Sequence, residues 1–178
     1  MLQHIEKIIF DEKVLSKAVG KLGAEISRDY KNKNLLMISV LKGSIVFMSD
    51  LIRNITIHCS IDFMCASSYE GGIKTSGVVK ITKDIDIEIS NYDLLIVEDI
   101  LDSGITLNAI IELLKNRNPR TMKICALFDN PSKRQANITP DYKCLDIPDE
   151  FIVGYGLDYK ERYRNLPFVG TLKKEVCQ

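Results

Sequence analysis

The sequence predicts an α/β fold: a twisted, mainly parallel sheet flanked by helices, with a small hood formed by the N- and C-terminal segments. Three observations predict it. Two short runs, LLMISVL (35–41) and DLLIV (93–97), are apolar throughout, as strands covered on both faces are. Such runs alternate with segments whose apolar residues recur at helical spacing, the mark of strand–helix–strand units. The tail breaks this rhythm: YKCLDI, EFIVGYG and FVGTL are strand-like stretches between turns, expected to join the N-terminus in a separate flap. A length of 178 residues suits one domain. Its core is expected over about 11–140 and its hood over about 1–10 and 141–178.

The elements follow in order. Asp11 is placed to cap a helix over 12–30, where Val14, Leu15, Ala18, Val19, Leu22 and Ile26 recur at helical spacing. The strand at 35–41 ends at Lys42-Gly43, and 44–53 carries Ile45, Val46, Met48, Leu51 and Ile52 as a second helix. Residues 55–69 read as a strand or bent strand pair. YEGGIKTSG (69–77) reads as a mobile loop, and GVVKIT opens another strand. Strand 93–97, helix 105–116 and strand 122–128 complete the core.

Composition narrows the function. The chain is 46% hydrophobic and 27% charged, with 24 basic against 24 acidic residues, so no global field argues for nucleic acid or a membrane surface. No apolar run approaches 18 residues, and the N-terminus is too charged for a secretory signal. Five cysteines form no CxxC pair and read as reduced thiols of a cytoplasmic protein. With two histidines, any metal would be held by oxygen, which favours magnesium.

The chemistry concentrates where strand 93–97 stops. Glu98, Asp99 and Asp102 follow it, then Ser103, Gly104, Ile105 and Thr106 at a helix start. In open α/β sheets ligands sit beyond the carboxyl ends of the strands. The unpaired amides of Ser103, Gly104, Ile105 and Thr106 suit a phosphate, Gly104 permits close approach, and two hydroxyls add donors. Carboxylates repel phosphate, so they should face a diol, a magnesium ion or a proton to be removed. A sugar phosphate meets these demands together. An ordinary N-cap at Asp102 or Ser103 would also account for the pattern, and the residues alone leave both readings open. The turn matches neither GxxxxGK[ST] nor GxGxxG.

VEDILDSGITL (97–107) resembles the diphosphoribosyl-binding signature of the type I phosphoribosyltransferases. LKGS (41–44), SSYEGG (67–72) and IPDEFIVGYGLDYKERYRNLP (147–167) extend the resemblance over nearly the whole chain, to the bacterial hypoxanthine/guanine enzymes. It implies the type I phosphoribosyltransferase fold and the transfer of a purine to the ribose of phosphoribosyl diphosphate, yielding IMP or GMP and diphosphate with Mg2+. It further implies that Glu98 and Asp99 face the ribose hydroxyls and, with Asp158, hold magnesium. Asp102 to Thr106 would grip the 5′-phosphate, with Asp102 also the general base at purine N7. Leu41, Lys42 and Gly43 would form a diphosphate loop, whose Leu–Lys bond is often cis in the family, and Ser68 and Tyr69 a lid. Phe151 would stack on the purine, Ile152 offer backbone groups to its edge, and Asp158 border it. Arg164, and Arg134 with it, would reach phosphate. The implied partners are small-molecule substrates, with no nucleic acid and no membrane, in a homodimer or homotetramer.

One departure stands out. The family usually carries a lysine in an LLDKP-like sequence, donating to the purine 6-oxo group; here LFDNP (127–131) has Asn130. Asn130 could still donate, Lys133 could substitute, or the pocket could accept a 6-amino group, shifting preference toward adenine; an altered base preference, for adenine or xanthine, is thus the alternative reading. Asn130 also fits a plain turn before Pro131. An RNA-binding regulator of the same fold is a second functional class, though it would need a basic face.

Overall fold

The structure is a computed structural model that describes residues 1–68, 79–147 and 149–177. The expected loop and Tyr69 therefore lie outside the described residues, as do the side chains of Ser67 and Ser68.

Six strands form the main sheet in the order β4-β3-β2-β5-β6-β7. They are β2 (Leu35–Leu41), β3 (Cys59–Ser68), β4 (Val79–Lys83), β5 (Asp93–Leu101), β6 (Thr121–Asp129) and β7 (Tyr142–Asp146). All neighbours run parallel except β3 and β4. Helices α1 (Glu12–Asp29) and α2 (Ile45–Arg53) cover one face and α3 (Ile105–Lys115) the other.

Strand alternation explains the unbroken apolar runs. Leu35, Met37, Leu95, Val97, Cys125 and Leu127 face α1 and α2, where Leu15, Val19, Ile26, Phe47 and Leu51 meet them. Leu36, Ile38, Val40, Leu94, Ile96 and Ala126 face Leu107, Ile110 and Leu114 of α3. Every position is inward for one layer or the other. The Asp11 cap forms as expected, its side chain accepting the Val14 amide at 2.8 Å.

The hood is a three-stranded antiparallel sheet in the order β1-β9-β8, from β1 (Ile5–Phe10), β8 (Ile152–Val153) and β9 (Val169–Leu172). Its small core gathers Val153, Tyr163, Leu166 and Leu172. Two expectations are corrected here. YKCLDI does not join the flap: it is β7, parallel to β6 at the edge of the main sheet, so the hood's C-terminal part begins near 147 rather than 141. Likewise β5 does not stop at Val97 but pairs with β6 as far as Leu101↔Asp129. The carboxylates interrupt the apolar composition, not the strand. Backbone pairing is indifferent to side-chain polarity once the strand end reaches a cleft.

Candidate active site

Because β5 continues, Glu98 and Asp99 are strand residues, adjacent at its carboxyl end. Asp99 lies against Gly43: a Cβ built on Gly43 would stand 1.6 Å from Asp99 Oδ2. Both carboxyls are held above the usual carboxylate range. Burial raises Glu98 well above it, and neighbouring Asp99 adds to this. Burial also raises Asp99 to about 6, opposed by the Ile100 amide and the charge of Arg164. Among the described residues, Glu98 Oε2 is buried without a hydrogen-bond partner. A buried, unpartnered carboxylate oxygen beside a second carboxylate suits a hard cation, and the all-oxygen donors suit magnesium. Among the described residues, no group of three His, Cys, Asp or Glu side chains could hold an ion by itself. The expected set of Glu98, Asp99 and Asp158 is thus no ready-made cage. Magnesium commonly takes only one or two protein carboxylates, completing its shell with water and substrate oxygens.

After β5, the chain turns through Asp102 and Ser103 into α3. Gly104 caps the helix with a left-handed backbone, φ 74°, which glycine adopts without steric cost. Its carbonyl accepts the Asn108 amide. Of the four amides expected to face a phosphate, two are engaged locally: Ser103 N–H donates to the Asp102 carboxylate, and Ile105 N–H makes a long contact of 3.5 Å with Ser103 Oγ. The Gly104 and Thr106 amides remain for a ligand.

The turn is held from behind by Arg134. Its guanidinium donates to the carbonyls of Asp102 (2.7 Å), Leu101 (2.9 Å) and Ile138, and pairs with Asp129. The expectation that Arg134 reaches phosphate is therefore corrected. Its donors are spent on backbone carbonyls and a buried carboxylate, so it shapes the loop.

Lys42 follows the cis Leu41–Lys42 bond, the geometry the resemblance implied. Lys42 pairs with Glu161 of the hood at 3.2 Å. Arg164 pairs with Asp158 at 2.8 Å, contacts Glu161 at 3.4 Å, and donates to the Gly156 carbonyl. Glu161 thus stands with two cations that were expected to bind diphosphate. Its carboxyl is held below its ordinary range, chiefly by the Lys42 hydrogen bond. Glu161 is not distinguishable in the sequence, because YKERYR reads as an ordinary solvated charge run.

Asp99, Asp102, Asn130, Lys133, Phe151, Ile152, Leu157 and Asp158 line one cavity of about 290 Å³. Phe151 is 57% exposed, an uneconomical place for a ring with no ligand, and Tyr159 meets it edge-on at 5.7 Å. Ile152 and Asn130 are buried in the cavity wall. Lys133 pairs with Asp149 at 2.8 Å. Leu41 ends β2, and Ser68 ends β3. A larger cavity of about 500 Å³, lined by Asp50, Arg53, Tyr155 and Arg164 among others, contains none of the β5 carboxylates. The smaller one is therefore the candidate site.

Comparisons with known proteins agree with this geometry. Residues 7–160 match the model of the phosphoribosyl transferase domain. A hypoxanthine-guanine phosphoribosyltransferase of Streptococcus pyogenes is 52% identical over 174 residues, covering 98% of this chain and 97% of that protein. A crystal structure of a Staphylococcus aureus hypoxanthine phosphoribosyltransferase superposes with a TM-score of 0.96 at 48% identity, over 100% of this chain and 97% of the other. A point mutant of the Trypanosoma cruzi hypoxanthine phosphoribosyltransferase, solved as a ternary substrates complex, gives 0.93 at 34% identity, over 99% of this chain and 100% of that one.

Proposed function

The chain belongs to the phosphoribosyl transferase family, among its hypoxanthine-guanine phosphoribosyltransferases, and on that footing we propose that it joins hypoxanthine or guanine to phosphoribosyl diphosphate, releasing diphosphate. One observation carries the reading beyond family membership: Asp102, an exposed aromatic ring and a buried carboxamide line a single cavity at the C-terminal end of β5. A flat heterocycle would stack on Phe151, with its edge toward Ile152 and Asn130. Asp102 then takes the proton from N7 as the bond from base to sugar forms. The α3 amides and the hydroxyls of Ser103 and Thr106 hold the 5′-phosphate. Glu98 and Asp99 face the sugar. Lys42 and Arg164 serve the diphosphate, with the guanidinium fork suited to its oxygens.

Magnesium would be held by Asp99 and Asp158, with Glu98 close by, and would neutralise charge on the departing diphosphate. The chain's own part is to fix sugar and base in reacting orientation and to stabilise the cationic character that develops on the sugar. We place the enzyme in the cytoplasm, as a homodimer or homotetramer. The described cysteines are all free thiols, and no described helix is long and apolar enough to cross a membrane.

The decisive experiment offers hypoxanthine, guanine, xanthine and adenine separately with phosphoribosyl diphosphate and Mg2+, and follows nucleotide formation. Hypoxanthine and guanine are expected to give product at the highest kcat/KM. Absence of product from every base would remove the assignment.

A further inference from the structure

Asn130 directly follows β6 and is 3% exposed, yet it lines the cavity beside Asp102 and Ile152. A carboxamide has two unlike ends, one that only accepts hydrogen bonds and one that only donates. Which end faces the cavity decides what edge of a purine is welcome. One neighbour distinguishes the ends. The Asn130 side chain meets the Ser132 hydroxyl at 2.6 Å. That length is ordinary for O–H···O and shorter than the usual N–H···O range of about 2.7–3.2 Å. The partner of the hydroxyl is therefore the amide oxygen, Oδ1.

The rest of Asn130 is fixed as well. Its amide donates to the Leu101 carbonyl at 3.0 Å, and its carbonyl accepts the Lys133 amide at 3.3 Å. Pro131 opens the short 3-10 turn that carries Ser132. Among the described residues the side-chain nitrogen, Nδ2, meets no hydrogen-bond partner, so it is the end left for a ligand. Lys133, the other nearby donor, is drawn to Asp149 at the mouth.

We propose that Ser132 is a positioning residue for base selection: by holding Asn130 Oδ1 it presents the NH2 group to the cavity, favouring purines with an acceptor oxygen at C6 over those with an amino group. The inference rests on the phosphoribosyl-transfer reading and deepens it. A 6-oxo group accepts the hydrogen bond. A 6-amino group sets donor against donor and leaves both unpaired in a desolvated pocket, which is the costlier outcome.

The test compares wild type, Ser132→Ala and Ser132→Thr by the KM for hypoxanthine and the Ki of adenine as a competing base. Ser132→Ala frees the carboxamide to flip. Hypoxanthine KM is expected to rise about three- to tenfold relative to adenine Ki, the effect of one neutral hydrogen bond. The KM for phosphoribosyl diphosphate should stay unchanged, and Ser132→Thr, which keeps the hydroxyl, should restore the wild-type ratio. A ratio within about twofold of wild type in Ser132→Ala would overturn the inference, twofold being less than such a bond contributes. So would a loss that moves both substrate KM values together, or one that threonine fails to rescue. A wild-type protein that forms no nucleotide from any purine is a different result, and removes the underlying reading itself.

Discussion

The turn after β5 and the hood segment around 156–164 both bring charged groups to the same site, but they are anchored by different means. The turn is backed by Arg134, only 13% exposed, whose donors are taken by three carbonyls and the buried Asp129. The hood contributes Glu161, whose ion pair with Lys42 water reaches, the two being 64% and 63% exposed, beside a more enclosed Arg164–Asp158 pair. Exposed pairs contribute little stability and exchange readily, whereas a buried charge loses much when its partner is removed. The difference assigns labour. On the proposed reading, the side that would align base and sugar is built before substrate arrives, and the side that would meet the leaving group includes an exposed contact that a diphosphate could replace.

The strongest way to break this division is Asp102→Asn. It keeps shape and removes the proton acceptor, so kcat should fall about 10²- to 10⁴-fold with little change in the KM for phosphoribosyl diphosphate. Near-normal turnover would show that Asp102 only shapes the loop. Arg134→Ala should come next. Stranding Asp129 and three carbonyls should cost about 3–5 kcal/mol in urea unfolding, along with activity. A loss of activity without a loss of stability would mean that Arg134 meets substrate after all.

The carboxylates give a pH-dependent prediction. Asp99 titrates near 6 in the folded protein and ordinarily near 3.8, so between these values the folded state binds more protons than the unfolded. Stability is therefore highest below about 4 on this account and is lost as pH rises through 6, by on the order of 1–3 kcal/mol. Glu98 shifts the same way. Asp99→Asn should raise the Tm of the ligand-free protein at pH 8 more than at pH 5, while impairing catalysis. Equal Tm changes at both pH values would remove the buried-charge account of Asp99. The smallest effect belongs to Glu161→Gln. Stability should be essentially unchanged, and diphosphate should bind a few-fold more tightly, because no carboxylate competes for Lys42 and Arg164. Weaker binding would instead make Glu161 a contributor to the ligand site.

Much of this was legible in the sequence, for local reasons. The unbroken runs at 35–41 and 93–97 reported a sheet covered on both faces, and the acids with Ser103, Gly104 and Thr106 marked the turn from β5 into α3 where the proposed function puts the sugar phosphate. What escaped depends on contacts distant along the chain. Nothing in YKCLDI itself says which sheet it joins; the choice is made by β6 beside it. Arg134 reads as a free cation until its position behind Leu101 and Asp102 is known. Glu161 gains meaning only from Lys42, far earlier in the chain.

Gly43 carries a last consequence. A side chain there would strike Asp99, and a Cβ on Gly156 would stand 2.0 Å from the Gly43 carbonyl. Loop and hood thus meet backbone to backbone, and the loop backbone lies directly on the Asp99 side chain of the strand, with no room for padding between them. A hood transplanted from another protein would seat only if it offered an equally bare stretch of chain at that point. Diversification of this scaffold is correspondingly freer in the outlying turns of the hood than along this seam.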